Sequence, residues 1–425
     1  MDEPRVLIVG AGLAGLAAAV ELARAGLPVL VADQASAPGG AIHRQPVDGA
    51  RAVASRAQAR RWASLQAEVQ AQGPRIELAL GTSFGGVDHT GAVLLTGASA
   101  RLFRPRALVL ATGARERVQP RPGWTLPGVE TAGSLQTRLK MLAEPPQGRV
   151  LLAGSGPLLL ALGAELVRLG CPPVAIVEAG RPTARPLDAL GLPLSYLIEG
   201  ASYLLRLRLA GVPILSNSHL AAVRAEAGGL VADIDTPAGR RTIAADRVAL
   251  HDGIAPNDIG FSRASALPIL CAGDCREALG ARAALADGRA QGAQLAARLT
   301  GRPPSAPDTE VARERAAQAR LARIYAHDDA ARLAALPGDT VICRCEARTL
   351  NDLRALGAQP TDRQLRLDGR FSMGACQGRF CAEWVARLAA PDTPKARLGA
   401  ARWPTRPIAI SDLLAAPDET QGDRI

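Results

Sequence analysis

Two stretches of the chain show the same order of apolar and polar positions. Each has a short, continuously apolar strand, a glycine-rich turn, an apolar helix and a second strand. The strands are predicted at Arg5–Val9 and Pro28–Ala32, and again at Arg149–Ala153 and Val174–Val177. Strands that are apolar without alternation are typical of buried parallel sheets. The pattern predicts an α/β fold with two dinucleotide-binding (Rossmann-like) domains, the second inserted into the first.

The first turn carries the residues that a bound pyrophosphate requires. Gly10 permits a tight turn, Gly12 lets the backbone approach a phosphate, and Gly15 lets the helix pack closely on the strand. The N-terminus of the helix supplies N–H groups and a positive dipole end. Asp33 ends the second strand, at the spacing where a carboxylate accepts hydrogen bonds from a ribose. These residues predict a dinucleotide site.

Three later elements indicate which dinucleotide binds there. Gly40 follows the second strand, Thr112-Gly113 follows an apolar strand at Leu108–Leu110, and Gly273-Asp274 follows Leu270. Together with a Gly253–Asn257 element, they resemble the FAD domain of glutathione-reductase-like flavoproteins. The resemblance implies FAD, with Asp274 bonding the ribityl or pyrophosphate region.

The second turn departs from the pattern at one position. Gly154 and Gly156 match the first two glycines, but Leu159 stands where the third is expected. A leucine there pushes helix and strand apart or crowds a pyrophosphate. Glu178 ends the following strand and suits the ribose of NAD rather than NADP. NAD(P)H binding is therefore weakened, and a structural role or another nucleotide stays open.

Seven cysteines are present, and four of them crowd the C-terminal fifth of the chain. Cys343 and Cys345 form a C-x-C pair, and Cys376 and Cys381 a C-x4-C pair. Four thiolates can hold a [2Fe–2S] cluster, two on each iron, or one tetrahedral Zn²⁺. Because C-x-C is tighter than the usual zinc spacing, the cluster is favoured over zinc and over plain buried thiols. The C-x3-C pair Cys271 and Cys275 is interpreted as structural.

Charge and composition exclude other classes. The 50 basic residues exceed the 40 acidic ones by 10, but only two of them are lysine and aromatic residues make up 3%. Dispersed arginine without aromatic interleaving does not indicate a nucleic-acid site. The longest apolar stretch, Val150–Ala164, is too short and broken to span a bilayer. With no basic leader before the first strand, a cytoplasmic protein is expected.

These patterns predict five segments. They are a discontinuous FAD-binding domain at 1–118 and 245–300, an inserted NAD-binding-like domain at 119–244, a linker and one helix at 301–337, a small helical [2Fe–2S] domain at 338–400 and a tail at 401–425. Within the fourth segment, short helices are predicted at Leu350–Leu356 and Glu383–Leu388.

The combination resembles one family. The most specific part of the resemblance is the cysteine region, which is similar to bacterioferritin-associated ferredoxin. It consists of Cys343-Arg344-Cys345-Glu346 and, later, Ser372-Met373-Gly374-Ala375-Cys376-Gln377-Gly378-Arg379-Phe380-Cys381. The segments Pro122–Val129 and Thr131–Gly133 also resemble that family. The chain resembles the large (alpha or A) subunits of opine oxidase and hydroxyproline dehydrogenase, and the B subunit of hydrogen cyanide synthase.

The resemblance implies a heteromeric flavoprotein of amino-acid metabolism. The amine or imino acid would be oxidised on a smaller subunit like D-amino-acid oxidase, and this chain would transfer the electrons through FAD and [2Fe–2S]. A small ferredoxin-like subunit, and a second nucleotide or FMN at a subunit interface, are further implied. No catalytic residue is assigned, because the five histidines (His43, His89, His219, His251 and His327) are isolated in sequence.

Two alternative functions stay open, and the sequence departs from the family's pattern at two places. The chain could be a stand-alone NAD(P)H-dependent reductase of an iron–sulfur centre, or a non-enzymatic flavoprotein scaffold that carries a metal module. Residues 258–271 are shorter than the family's usual segment, with 261–266 interpreted as a loop. Arg276 and Glu277 put an unusual charge pair beside an expected pyrophosphate.

Overall fold

The structure is a computed structural model that describes residues 5–46, 56–98, 100–142, 144–258, 267–303, 309–389 and 403–415, without the side chains of 56–58 and 415. The shortened segment therefore falls largely outside the described residues, as do parts of the linker and tail. The chain divides into two compact units. Unit 1 is Met1–Arg115, Ala255–Arg315 and Ala400–Ile425, and unit 2 is Glu116–Ile254 and Ala316–Gly399.

The first segment of unit 1 alternates strands and helices. Its elements are β1 (Val6–Val9), α1 (Leu13–Arg24), β2 (Val29–Asp33), α2 (Arg56–Gln70), β3 (Ile76–Leu80), β4 (Ser83–Val87), β5 (Val93–Thr96), β6 (Arg101–Phe103), β7 (Ala107–Leu110) and β8 (Ala114–Glu116).

The inserted segment follows with a second α/β series. Its elements are β9 (Val129–Thr131), α3 (Ala132–Leu142), β10 (Val150–Gly154), α4 (Pro157–Arg168), β11 (Ala175–Glu178), α5 (Pro186–Leu190), α6 (Leu194–Leu209), β12 (Ile214–Ser216), β13 (His219–Glu226), β14 (Gly229–Thr236), β15 (Gly239–Ala245) and β16 (Arg247–His251).

The remaining elements are mostly helical. They are β17 (Ile254–Pro256), β18 (Ile269–Cys271), α7 (Ala281–Thr300), α8 (Thr309–Ile324), α9 (Ala330–Ala334), β19 (Val341–Cys343), β20 (Arg348–Thr349), α10 (Leu350–Arg354), α11 (Asp362–Leu367), α12 (Ala382–Ala389) and α13 (Ile410–Ala415). None of the helices in the described ranges is long and apolar enough to cross a membrane.

Unit 1 is built on a parallel sheet with the strand order β18-β7-β1-β2-β3. Successive residues of β1 pack into two different cores: Val6 and Ile8 on the side of α1, Leu7 and Val9 on the other. Both faces are covered, which explains why the strand is apolar throughout. A three-stranded antiparallel sheet, β4-β5-β6, accompanies it. The predicted first βαβ unit is confirmed.

Helix α7 lies against α1 at a distance that only glycine allows. A Cβ atom at Gly288 would lie 2.3 Å from the carbonyl oxygen of Ala14, and one at Gly292 would lie 2.7 Å from the Cα of Ala18. Small residues on both helices therefore let α7, which follows the Gly273-Asp274 element, pack closely on α1, which follows the first glycine turn.

Unit 2 contains a second parallel sheet, with the order β12-β11-β10-β16-β9. The second predicted βαβ unit is thus present. One predicted boundary needs correction: the FAD-binding domain was expected to resume at residue 245, but β16 pairs with β10 and β9, and unit 2 extends through Ile254. An apolar strand alone does not reveal which of two parallel sheets it joins.

The single helix predicted within 301–337 is broken. Its two parts are α8 and α9, and Tyr325 begins the turn between them. The region after α9 has its own core around Phe371, Trp384 and Val385. The short helices expected there are present as α10 and α12. This region groups with the inserted segment in unit 2 and does not form a third unit.

Candidate functional site

The first glycine turn has backbone positions that no side chain can occupy. Gly10 has φ of +112°, and a Cβ atom there would lie 2.3 Å from the carbonyl oxygen of Ala111. A Cβ atom at Gly15 would lie 1.8 Å from the carbonyl oxygen of Gly10. Gly12 precedes α1 directly, where the first N–H groups of the helix lack partners within the helix. The turn therefore has the geometry of an anion-binding helix start.

Asp33 and Gly40 lie beside this turn. The Asp33 carboxylate accepts the N–H of Ala11 at 2.6 Å and that of Ala35 at 2.8 Å. The carboxylate therefore bonds the N–H of Ala11 and not that of Gly12. A Cβ atom at Gly40 would lie 3.0 Å from the Cα of Gly12, so only a glycine fits there without a shift.

Thr112 and Gly113 join two parts of unit 1 that are distant in sequence. Thr112 Oγ1 lies 2.8 Å from the carbonyl oxygen of Asn257 and 3.1 Å from Cys275 Sγ. The Asn257 N–H donates to the carbonyl oxygen of Gly113 at 2.9 Å. The Thr112-Gly113 element therefore meets Asn257 and the turn that follows Gly273-Asp274 at the carboxyl ends of β7 and β18.

Gly273 and Asp274 form a short turn before α7. The Gly273 N–H donates to Asp287 Oδ2 at 2.7 Å, and a Cβ atom at Gly273 would lie 2.5 Å from Ala14 Cβ. Asp274 Oδ1 accepts the N–H groups of Leu279 and Gly280 at 3.1 and 2.9 Å. Burial raises the pKa of Asp274.

The charge pair after Asp274 has a structural explanation. Arg276 forms an ion pair with Asp287, and Glu277 accepts two bonds of 2.9 Å from Arg315 Nε. The Arg315 contact lowers the pKa of Glu277. Sequence reasoning missed Asp287; the signal was an acidic residue within an otherwise alanine-rich helix.

The second glycine turn also begins with a positive-φ glycine, but its backbone differs at the third residue, where φ is −80° at Gly12 and +121° at Gly156. Gly154 has φ of +142°, and a Cβ atom there would lie 1.9 Å from the carbonyl oxygen of His251. Leu159 is fully buried and packs in a core with Leu152, Leu162 and Ile176. The side chain therefore fills the space between α4 and the sheet, where the third glycine would allow closer approach.

The Glu178 carboxylate is hydrogen-bonded within the second turn. Its carboxylate accepts the N–H of Gly156 at 3.0 Å and that of Gly180 at 2.7 Å, and Ser155 Oγ lies 2.6 Å from it. Burial raises its pKa. The carbonyl oxygen of Tyr325 lies 3.0 Å from Ser155 Oγ. The break after α8 thus places the chain's own backbone on this turn.

A cavity of about 350 Å³ lies beside this turn and is lined by Gly154 and by residues of β13. His219 and His327 line it with ring centroids 6.1 Å apart. Burial, with Arg332 close by, lowers the pKa of His219 to about 4. A hydrogen bond to Asp329 raises the pKa of His327. These two histidines are isolated in sequence but adjacent in the fold.

The four C-terminal cysteines gather as two contacting pairs. Cys343 lies close enough to Cys381, and Cys345 to Cys376, for each thiol to shift the pKa of its neighbour. The hydrogen bond from Cys381 lowers the pKa of Cys343 to about 6. Within the described residues, no group of three or more His, Cys, Asp or Glu side chains is arranged to hold a metal ion.

The cysteine loops are shaped to point backbone N–H groups at sulfur. Backbone groups of Ser372 and Glu346 act to lower the pKa of Cys343, and the backbone of Cys376 acts to lower that of Cys345. A Cβ atom at Gly374 would lie 2.4 Å from Cys345 Cβ. Hydrogen bonds of this kind stabilise thiolates and tune cluster potentials.

Cys271 and Cys275 also contact each other, at the end of β18. The contact lowers the pKa of Cys275, which is buried against Thr112. Their interpretation as structural residues stays a prediction.

Comparison with known proteins gives the relationship. Residues 4–274 match the pyridine nucleotide-disulphide oxidoreductase family. The chain is 31% identical to the A subunit of opine oxidase from Agrobacterium tumefaciens, over 97% of this chain and 92% of that protein. It is 32% identical to the HcnB subunit of hydrogen cyanide synthase from Pseudomonas aeruginosa, over 96% of this chain and 97% of that protein.

A solved structure agrees in fold. L-proline dehydrogenase from P. horikoshii superposes with a TM-score of 0.61, at 17% identity, over 96% of this chain and 79% of that one. The predicted Rossmann-like α/β class is confirmed, and the non-enzymatic alternative loses its support because the relatives are oxidoreductases. The chain belongs to the FAD-dependent oxidoreductase family that includes the A subunit of opine oxidase and the HcnB subunit of hydrogen cyanide synthase.

Proposed function

We propose that the chain is the electron-transfer subunit of a heteromeric amine or imino-acid dehydrogenase. The observation that carries this proposal is the gathering of Cys343, Cys345, Cys376 and Cys381 as two thiol pairs, in a chain that also contains a glycine turn of the FAD type. When bound, FAD takes up two electrons and a [2Fe–2S] cluster passes them on singly.

The residues proposed to hold FAD lie at the carboxyl edge of the first sheet. The N–H groups at the start of α1 face the position of a pyrophosphate, and Asp33 orients the turn through Ala11. The full set is Gly10, Gly12, Gly15, Asp33, Gly40, Thr112, Gly113, Gly273 and Asp274.

The residues proposed to hold [2Fe–2S] are the four paired cysteines. The Cys343–Cys381 pair would bind one iron and the Cys345–Cys376 pair the other, because two thiolates of one iron must lie in contact. The backbone N–H groups that already point at Cys343 and Cys345 would stabilise the ligated thiolates.

The substrate is proposed to react on a partner chain. Relatives over nearly the full length are named as single subunits of larger enzymes, opine oxidase and hydrogen cyanide synthase. A smaller D-amino-acid-oxidase-like subunit, a ferredoxin-like subunit, and a second nucleotide or FMN at an interface remain predictions, as does the cytoplasmic location.

The stand-alone NAD(P)H reductase is the less favoured function. Its nucleotide would need the N–H of Gly156 and the carboxylate of Glu178, which are bonded to each other. The hydroxyl of Ser155 is engaged by Glu178 and by the Tyr325 carbonyl.

The first experiment is an anaerobic visible spectrum of the purified chain, with flavin, iron, sulfide and zinc measured on the same sample. We expect one FAD, about two irons and about two sulfides per chain. The Cys376→Ser variant should lose the iron and keep the flavin, whereas the matched Cys171→Ser variant should keep both. Zinc in place of iron would contradict the proposal.

A second experiment tests the division of labour. The purified chain alone should oxidise opines or hydroxyproline at a negligible rate, and its flavin should not be reduced when NADH is added in a stopped-flow instrument. Full activity of the single chain would disprove the partner-based assignment. Rapid bleaching by NADH would instead support the reductase.

A further inference from the structure

Helix α6 is apolar on two opposite faces. Leu207 is fully buried and Tyr203 half-buried on the inner face. On the outer face, Leu194, Ile198, Leu205 and Leu209 are 70%, 61%, 59% and 79% exposed. A surface helix of a globular protein normally has a polar outer face, and a helix that is apolar all round is normally covered.

The exposed residues form one continuous stripe. At about 100° per residue, the four side chains fall within an arc of roughly 60°. Ala201 lies on the edge of this arc, midway along the helix. Leu187 and Leu190 of the preceding α5 are also strongly exposed. Contiguous exposed apolar surface of this kind marks an interaction site.

One side of the stripe carries a polar column. It consists of Ser195, Glu199, Ser202 and Arg206, at helical spacing along α6. Glu199 accepts a hydrogen bond of 2.7 Å from the Tyr203 hydroxyl. Arg206 forms no ion pair with any residue that the structure describes. An acidic and a basic residue therefore lie two turns apart on the same side of an apolar stripe.

We infer that this stripe packs antiparallel against the same stripe of a second copy of the chain. In an antiparallel register centred between Ala201 and Ser202, Leu194 faces Leu209 of the second copy, and Ile198 faces Leu205 of the second copy. The small residues at the centre let the two helices approach closely. A two-fold interface needs this self-complementarity, in which each contact occurs twice.

The charges agree with the same register. In an antiparallel helix pair, a flanking column faces its own counterpart on the other helix. Glu199 of one copy then lies beside Arg206 of the other, and the pair is repeated by the two-fold axis. A parallel two-fold arrangement would instead place this column opposite the other flank of the stripe, so Glu199 and Arg206 would not meet.

The stripe is less suited to a lipid surface. Interfacial helices usually present aromatic side chains with the leucines. Both tyrosines of α6 lie off the stripe, with Tyr196 near Gln318 at 3.4 Å and Tyr203 bonded to Glu199. The carboxylate of Glu199 would also be placed against anionic headgroups.

The first test measures the mass of the purified holoprotein in solution by light scattering and sedimentation over a concentration series. We expect a dimer whose Kd rises roughly 100-fold or more in the Ile198→Glu and Leu205→Glu variants. Leu367→Glu is the matched control, since Leu367 is 56% exposed on α11, away from the stripe. Flavin content and circular dichroism check that each variant is folded.

A charge reversal tests the register. Glu199→Arg and Arg206→Glu should each weaken the dimer by roughly tenfold, because each creates a like-charge contact. The double variant Glu199→Arg/Arg206→Glu should restore it to within about threefold. Failure of the double variant to recover would overturn this antiparallel register.

Cross-linking tests the centre of the interface. Ser202→Cys should form a disulfide with itself in the second copy under mild oxidation, because the two residues lie next to the axis. Ser195→Cys lies in the same column but roughly 20 Å from its counterpart in this register, and should not. Mass spectrometry of the linked peptide separates this product from disulfides of the native cysteines.

Three results would overturn the inference. They are a monomeric chain at tens of micromolar that binds its partner subunit through this stripe, a monomer that binds phosphatidylserine vesicles and loses that binding in Ile198→Glu, and a dimer unaffected by both glutamate variants. The inference does not depend on the proposed electron-transfer role, because the mass of the chain is measured without an activity assay.

Discussion

The two glycine turns of this chain have similar sequences but differ in which backbone N–H group the protein's own carboxylate bonds. Gly10-Ala11-Gly12 and Gly154-Ser155-Gly156 occupy equivalent places between a parallel strand and a helix. In the first, Asp33 bonds the N–H of Ala11 and leaves that of Gly12. In the second, the longer Glu178 reaches the N–H of Gly156 itself. The acidic strand end therefore bonds a different N–H group in each turn, that of Ala11 in the first and that of Gly156 in the second.

The third position extends the contrast. Gly15 brings its helix against the backbone of Gly10, whereas Leu159 makes the helix part of an apolar core. The first turn thus keeps the close helix–strand approach that a phosphate site uses, whereas the helix of the second turn contributes to an apolar core.

The largest expected effect comes from putting a side chain into the first turn. Gly15→Ala should destabilise the protein by about 3 kcal/mol or more and abolish FAD binding, because a Cβ atom would lie 1.8 Å from the Gly10 carbonyl oxygen. Flavin content and thermal unfolding measure this. The control Gly228→Ala has open space around its Cβ position and a φ outside the left-handed region, and should keep the flavin.

Leu159→Ala should destabilise the protein without creating an NADH site. Removing a fully buried leucine should destabilise unit 2 by about 2–5 kcal/mol. NADH should still not bind, because Ser155, Glu178 and Tyr325 continue to fill the turn. Denaturant unfolding and a fluorescence titration with NADH test the two parts. Tight NADH binding by the variant would show that Leu159 alone closes the site.

The cavity beside the second turn should give the protein a pH dependence. Burial lowers the pKa of His219 from its ordinary value of 6.5 to about 4. The unfolded chain takes up a proton below pH 6.5 and the folded one does not, so stability is present above that pH and falls as the pH drops toward 4. The loss is at most about 3 kcal/mol.

Urea unfolding between pH 4.5 and 7.5 checks this effect. His219→Asn should flatten the slope, whereas His89→Asn, at an exposed histidine of unit 1, should leave it unchanged. His327 contributes in the other direction, because its pKa is raised and its stabilisation is lost as pH rises. An unchanged slope in His219→Asn would assign the pH dependence elsewhere.

The smallest effect is expected at the contact that distinguishes the second turn. Ser155→Ala removes a hydroxyl that lies 2.6 Å from the Glu178 carboxylate and 3.0 Å from the Tyr325 carbonyl oxygen. Glu178 keeps two backbone donors, so the cost should be about 1–2 kcal/mol. Chemical denaturation measures it, and Ser134→Ala at an exposed position of α3 serves as the reference substitution.

Much of the fold could be read from the chain because the chemistry was local. The apolar strands, the glycine turns and the acidic strand ends are fixed within about 30 residues, the length of a βαβ unit. The cysteine spacing likewise indicated paired thiols. Asp287 and the break at Tyr325 were missed, because their partners Gly273 and Ser155 lie in other parts of the chain.

The sequence by itself determined two parallel βαβ units, the positive-φ glycines in their turns and the four clustered cysteines, since strand burial and turn sterics act between near neighbours. Only the tertiary structure decided that β16 joins the second sheet, that Tyr325 covers the second turn and that the cysteines meet as 343 with 381 and 345 with 376. Those outcomes depend on which distant groups satisfy each buried N–H, hydroxyl and thiol, and that choice is made when the elements pack.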